Sequence, residues 1–197
     1  MKTGQIAFKQ LRQIDLPLMH KWLNTPHVRQ WYRIYAKKSP SQDEVRRKYL
    51  PRINGDDPTS CYVIVYDSMP IGMVQSYKLD DYPSEKEVFN LNQCCVGIDI
   101  FIGEEDYIHQ GLGSTIIKRF LQQIVFIKYD VDCCIVDPII RNEVAIKAYH
   151  KAGFKYVKTF WNQQEGEYGY IMSINRDEIE SKKDSIKLDT RDDLSGV

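Results

Sequence analysis

Cys94-Cys95-Val96-Gly97-Ile98-Asp99-Ile100-Phe101-Ile102 is an apolar run broken by a single charge, and shortly after it His109-Gln110-Gly111-Leu112-Gly113-Ser114 opens a long amphipathic segment. The first stretch has the length and composition of a strand buried on both faces. In the second, Leu112, Ile116, Ile117, Phe120, Leu121, Ile124 and Val125 recur at helical spacing. Strand, short loop, Gly-x-Gly and helix together can form an anion site. Glycines let the backbone approach a ligand, and the unpaired N–H groups of the first helical turn face it. A tight turn entering a core helix uses the same pattern, so Gly-x-Gly alone does not choose between the two. The spacing is not a Walker A loop, because no Gly-Lys-Ser follows, and no G-x-G-x-x-G is present.

Toward the N-terminus, Cys61 to Tyr66 and Ile71 to Tyr77 read as two strands joined by a hairpin over Asp67-Ser68-Met69-Pro70. Ser41 and Glu44 are spaced as a capping box ahead of Val45, Tyr49 and Leu50, so a helix starts there. Before it, Ile6 and Phe8 alternate as a strand, and Asp15 stands where an N-cap would, ahead of Leu16, Met19, Trp22 and Leu23. Residues 78 to 93 are polar and read as a long loop. Toward the C-terminus, Cys133 to Val136 is a short buried strand. Asn142 caps a helix that ends at Gly153, and Lys155 to Trp161 and Tyr168 to Ile174 are two final strands. This order predicts a mixed α/β sheet of about seven strands with flanking helices. One domain spans 1–177, and the charged stretch 178–197 reads as a flexible tail.

The chain has 197 residues, 43% of them hydrophobic and 27% charged, which is the composition of a globular domain rather than a disordered or collagen-like one. Basic and acidic residues balance at 27 each, so no global field draws it to nucleic acid or an anionic membrane. No apolar run reaches the roughly 18 residues that a membrane span needs, and the N-terminus lacks a signal-peptide core, so a cytoplasmic protein is expected. The five cysteines lie in two adjacent pairs plus Cys61, with no C-x-x-C. They are expected to pack as small apolar side chains rather than form disulfides or bind zinc. The four histidines show no metal-ligand spacing, so no metal is expected.

Tyr107-Ile108-His109-Gln110-Gly111-Leu112-Gly113-Ser114 resembles the acetyl-CoA motif of the GNAT superfamily of N-acetyltransferases. Arg141 to Phe154 (R-N-E-V-A-I-K-A-Y-H-K-A-G-F) is similar to that superfamily's N-x-x-A-x-x-x-Y-x-K-x-G-F block. Two ordered blocks with a strand between them are far more specific than either alone. Over roughly residues 6 to 175 the chain resembles aminoglycoside 6′-N-acetyltransferases most closely. The shared stretches are Leu18 to Leu23, the pair Trp31-Tyr32, Pro70-Ile71-Gly72 with Gln75-Ser76-Tyr77, Gly97-Ile98-Asp99, Phe101-Ile102-Gly103 and Asp137-Pro138. Ile108 stands where the superfamily usually has Gln or Arg, and Ile100 where Gln is frequent.

The resemblance implies a GNAT fold with a central splayed strand pair and acetyl-CoA as co-substrate. Backbone groups of Ile100, Phe101 and Ile102 would lie along the pantetheine arm. His109, Gln110, Gly111, Leu112, Gly113 and Ser114 would cradle the pyrophosphate, with Asn142, Ala145 and Tyr149 completing the site. Tyr149 is the candidate acid for the leaving thiolate, although a tyrosine on a helix face also serves as a core aromatic. Asp99 costs several kcal/mol to bury unless it is paired or opens to a cleft, so it is either the partner of a neighbouring Arg or the anchor of a cationic amine. With a carboxyl pKa of about 3.9 it would first orient the amine.

A polycationic aminoglycoside asks for an acidic site. Asp80, Asp81, Glu85, Glu87, Asp99, Asp137, Glu165 and Glu167 all fall around the expected mouth, where Trp31, Tyr32, Gln75 and Tyr77 would also meet substrate. Transfer to the 6′-amine of an aminoglycoside, conferring resistance, is the expected activity. Acetylation of a siderophore hydroxylysine or a protein N-terminus, and a non-catalytic acyl-CoA-binding module, are the alternatives. A monomer and a homodimer are equally open.

Overall fold

A computed structural model describes residues 4–31, 38–90, 93–163 and 166–179. Its centre is a seven-stranded sheet in the order β1-β2-β3-β4-β5-β7-β6. The strands are β1 (Ile6–Gln10), β2 (Ser60–Tyr66), β3 (Met69–Lys78), β4 (Cys95–Ile102), β5 (Cys133–Val136), β6 (Lys155–Asn162) and β7 (Glu167–Asn175). All pairings are antiparallel except β4 with β5. The mixed α/β sheet read from the sequence is therefore present. The β2–β3 turn is tighter than expected: Asp67 and Ser68 alone turn the chain, with φ of 46° and 72°.

Alternation along the strands sorts side chains onto two faces. Tyr62, Ile64, Val74, Val96 and Ile98 face α5 (Leu112–Phe120) and α6 (Glu143–Ala152) in one core. Cys61, Val63, Val65, Met73 and Phe101 face α1 (Leu16–Leu23), α2 (Pro26–Arg29) and α3 (Gln42–Asn54) in another. Helix α3 begins in the expected capping box, with Ser41 Oγ accepting from Glu44 N at 3.2 Å and Glu44 Oε2 accepting from Ser41 N at 2.7 Å. Asp15 occupies the N-cap position of α1, but its carboxylate accepts from Arg12 N at 2.9 Å and closes the preceding 3-10 turn instead. Helix α5 continues through a π-helical turn over Leu121–Val125 to Lys128. There Arg176 donates to the carbonyls of Phe126, Tyr129 and Val131 and seals its C-terminal end.

Two expectations are corrected. The stretch from 78 to 93 contains helix α4 (Pro83–Phe89), with Pro83 in its first turn, Asn90 in the left-handed conformation at its end, and Phe89 buried against Phe160 with ring centroids 5.8 Å apart. Cys95 and Cys133, register partners across β4 and β5, form a disulfide of 2.07 Å, and Cys61, Cys94 and Cys134 remain thiols. The expectation that no cysteine pair bonds rested on spacing along the chain, whereas register across the sheet brings these two together. Glu178 pairs with Lys155, and Ile179 is buried in the core. The tail beyond them lies outside the described residues. No helix among the described residues is long and apolar enough to cross a membrane.

Candidate active site

Pairing between β4 and β5 ends at Gly97 and Ile135. Strand β4 runs on to Ile102, while the chain after Val136 turns away through Asp137-Pro138 so that Ile139 bridges Gly169 on β7. The β5 side of Ile98–Ile102 is therefore left without a strand partner. Two cavities open from this divergence, one lined by residues 98–100 of β4 and the other by residues 100–102, and Trp31, Ile100, Asn142, Ala145 and Tyr149 line both.

The cavity of about 520 Å³ is mainly apolar. Ile100, Phe101, Ile102, His109, Gly111, Leu112, Gly113 and Ser114 line it, as expected, together with Asn142, Ala145 and Tyr149. Its floor is the start of α5, whose N-cap Gly111 has φ of +75° and makes no side-chain cap, so the first-turn N–H groups stay available to a ligand. Asn142 Oδ1 accepts from Ala145 N at 3.2 Å and starts α6, which brings Lys147 and Lys151 to the same cavity. His27 from α2 donates through Nε2 to the carbonyl of Ile102 at 3.2 Å. Gln110 departs from expectation. Its side chain donates to the carbonyl of Asp106 and does not line the cavity.

The cavity of about 920 Å³ is as apolar as it is polar, and its charged residues are mostly acidic. Asp99, Asp137, Glu85, Glu87 and Glu167 line it, and Lys48 is the one cation among its described lining residues. Asp80 instead pairs with Lys86, Asp81 lies outside the lining, and Tyr32 and Glu165 fall outside the described residues. Asp99 and Gln75 are register partners on β3 and β4, and Gln75 Nε2 donates to Asp99 Oδ2 at 2.6 Å. Burial pushes the Asp99 carboxyl up from its ordinary value, against the opposing pull of the Gln75 bond, Lys48 and Arg52. The two sequence readings of Asp99 are thus joined: an arginine stands near it, but a glutamine intervenes. Burial and the charge of Asp99 push Glu85 up, while its hydrogen bond from Tyr77 pulls it down. Tyr77 is buried and held well above its ordinary pKa by desolvation, so it acts as the donor in that bond. Tyr149 is buried, and desolvation raises its phenol strongly as well. It holds its proton at any physiological pH. Trp31 carries the Arg141 guanidinium over its ring at 5.1 Å, and Arg141 also donates to Glu167 at 3.0 Å.

Sequence reasoning missed Lys48, Arg52, Phe160 and Trp161. The sequence reading of α3 rests on its capping box and apolar residues, and only the tertiary structure brings Lys48 to the cavity of Asp99. Trp161, half-exposed and stacked edge-on against Tyr168 at 5.0 Å, stands at the cavity mouth.

Residues 12–161 match the family model described as acetyltransferase (GNAT) domain. The chain belongs to the GNAT acetyltransferase family. Among its relatives are the aminoglycoside N(6′)-acetyltransferases type 1 of Klebsiella pneumoniae and Serratia marcescens, each 27% identical over 157 residues, or 78% of this chain and 75% of theirs. The fold is shared with a crystal structure of aminoglycoside acetyltransferase AAC(6′)-Ib in complex with coenzyme A, at a TM-score of 0.77 and 23% identity over 91% of this chain and 99% of that one. An uncharacterised Bacillus halodurans protein superposes with a TM-score of 0.79 at 21% identity, covering 94% of this chain and 92% of its own.

Proposed function

We propose that the protein is an acetyl-CoA-dependent N-acetyltransferase acting on the 6′-amine of aminoglycosides, by direct transfer with both substrates bound. The observation that carries this reading is the meeting of two unlike cavities at Tyr149 and Ile100, one apolar with a bare helix N-terminus, the other lined by five carboxylates. The relatives named above bear the same activity in their names.

The residues of the smaller cavity fit acetyl-CoA. The free edge of β4 offers peptide-like partners to the pantetheine amides, the first turn of α5 offers N–H donors to the pyrophosphate, and Lys147 and Lys151 add positive charge. When bound there, acetyl-CoA supplies an acyl group activated as a thioester. The larger cavity receives a polyamine, and its excess of carboxylates steers and holds the ammonium groups.

Acetylation requires a neutral amine. Asp99 accepts a hydrogen bond from the reacting nitrogen and takes its proton, a task that its raised pKa makes easier than for an exposed aspartate. Tyr149 reaches both cavities with its proton retained and donates a hydrogen bond to the leaving sulfur, steadying the thiolate until it takes a proton from solvent. A free thiol has a pKa of about 8.5, so this acid is asked for modest help only. Glu85 and Tyr77 hold each other at the cavity wall and set where a second ammonium of the substrate sits.

The test is thiol release from acetyl-CoA across a panel of aminoglycosides, lysine derivatives and peptides. Turnover is expected with drugs carrying a 6′-amine and not with 6′-hydroxyl congeners. Turnover of a lysine derivative, with silence across the drugs, would replace the aminoglycoside by that amine.

A further inference from the structure

Arg52 lines neither cavity, yet Gln75 links it to Asp99, a carboxylate lining the larger one. Its Nη1 donates to Gln75 Oε1 at 2.8 Å, and Gln75 Nε2 donates to Asp99 Oδ2 at 2.6 Å. A guanidinium has donors and no acceptor. The Gln75 atom facing it is therefore the carbonyl oxygen, and the amide nitrogen is left to face Asp99. Turned the other way, the amide would set donor against donor and carbonyl against carboxylate. Arg52 is itself held by Asp57, at 3.5 Å from Nε to Oδ2. Asp57 Oδ1 accepts from Thr59 N at 2.8 Å and from Tyr82 Oη at 3.1 Å. One polar chain thus runs from the loop after α3, through β3, into β4.

We infer that Arg52 is a positioning residue for acetyl transfer: by fixing the orientation of Gln75 it occupies one oxygen of Asp99 and leaves the other, Oδ1, to the substrate amine. The inference rests on the role proposed above for Asp99. It separates two functions that a direct arginine–aspartate pair would confound. A guanidinium bound straight to Asp99 would take both carboxylate oxygens in a bidentate pair and shut the amine out. The intervening glutamine passes on orientation and attenuates the charge.

The other titratable groups around Asp99 are Lys48 from α3, Cys61 from β2, Tyr77 from β3, Glu85 from α4 and Tyr149 from α6. Cys61, Tyr77 and Tyr149 are neutral near pH 7, and Lys48 and Glu85 oppose each other in sign. Arg52 and the Gln75 bond both favour the ionised form of Asp99, so losing either moves its ionisation to higher pH.

The experiment compares the wild-type protein with Arg52→Met, Gln75→Leu, the double variant and Arg52→Lys. It measures kcat and KM for the aminoglycoside across the acid limb of the pH profile, and coenzyme A binding by calorimetry. Each of the first two variants is expected to lose about tenfold or more in kcat and to shift the acid limb upward, with coenzyme A affinity unchanged. The double variant is expected to be no worse than Gln75→Leu alone, because Arg52 acts through Gln75, and Arg52→Lys to recover part of the loss. An unmoved acid limb in folded Arg52→Met, or losses that multiply in the double variant, overturns the inference. Should Arg52→Met fail to fold for want of its pair with Asp57, Gln75→Leu, which leaves that pair intact, decides on the same limb. Turnover by the wild-type protein with no shift in either variant refutes Arg52 alone. A wild-type protein silent toward every amine refutes the acetyl transfer and this inference together.

Discussion

Gln75 and Asp99 face each other across β3 and β4 as direct register partners, and the 2.6 Å bond between their side chains is the only polar cross-link there between the two strands' side chains among the described residues. That face of β3 and β4 also carries Met73, Tyr77 and Phe101, so the ionised carboxylate is held in surroundings that disfavour it.

Asp99→Asn should therefore move activity and stability in opposite directions. Asn keeps an oxygen for Gln75 but cannot take a proton from the amine, and a loss of about 10²-fold in kcat is expected. Because the carboxyl pKa is raised on folding, the native state binds the proton more tightly than the unfolded chain. Stability then falls as pH rises from the unfolded pKa through the folded one, and the cost is fully present above it. At neutral pH the variant should melt higher than the wild-type protein, and the difference should vanish in acid. Thermal unfolding at several pH values reads this directly. A variant less stable at neutral pH would show that the charge is not a cost.

Tyr149→Phe should lower kcat by about tenfold, with little change in coenzyme A affinity. Burial holds the Tyr149 phenol so high that it stays protonated through the working range. The basic side of the wild-type pH profile should accordingly lack a limb that disappears in the Phe variant. A basic limb abolished by Tyr149→Phe would mean that the phenol titrates and that its surroundings are wetter than described.

Gly111→Val tests the helix N-terminus. With φ of +75° at this position, a β-branched residue is strained by about 1–2 kcal/mol or must rebuild the turn. Either outcome disturbs the first-turn N–H groups, so coenzyme A should bind about tenfold more weakly by calorimetry while the far-ultraviolet spectrum is retained. Unchanged affinity would move the pyrophosphate elsewhere.

The thiols give a count that bears on the sheet itself. Native protein should expose one reactive thiol, Cys94, and the denatured, unreduced chain three, with Cys61 and Cys134 added. Five thiols without reductant would show Cys95 and Cys133 unbonded. Where the bond is present, replacing Cys133 by Ala should cost about 2–4 kcal/mol in denaturant unfolding.

Where local rules govern, the sequence was readable. The capping box at Ser41 and Glu44, Asn142 as a cap, Gly153 in its left-handed terminus (φ of 112°) and the bounds of β5 all follow from residues a few positions apart. Helix α4 did not, because Val88 and Phe89 are its only apolar residues and no stripe forms. What settles it is Phe89 docking on Phe160, far away in the chain. The link from Cys95 to Cys133 depends on parallel register, and the facing of Lys48 and Arg52 on the rotation of α3 against the sheet. Neither leaves a trace in spacing. Asp99 stood out as a charge in an apolar strand, but its partner was a neutral amide, a residue type that carries no such signal.

Beyond Gly97 no ladder joins β4 to β5, and the disulfide just behind that point ties the two strands at their root. An extended molecule sliding in has no ladder to unzip before it can bond. Its arrival should be limited by diffusion and alignment, and a slow opening step should be missing from the association kinetics.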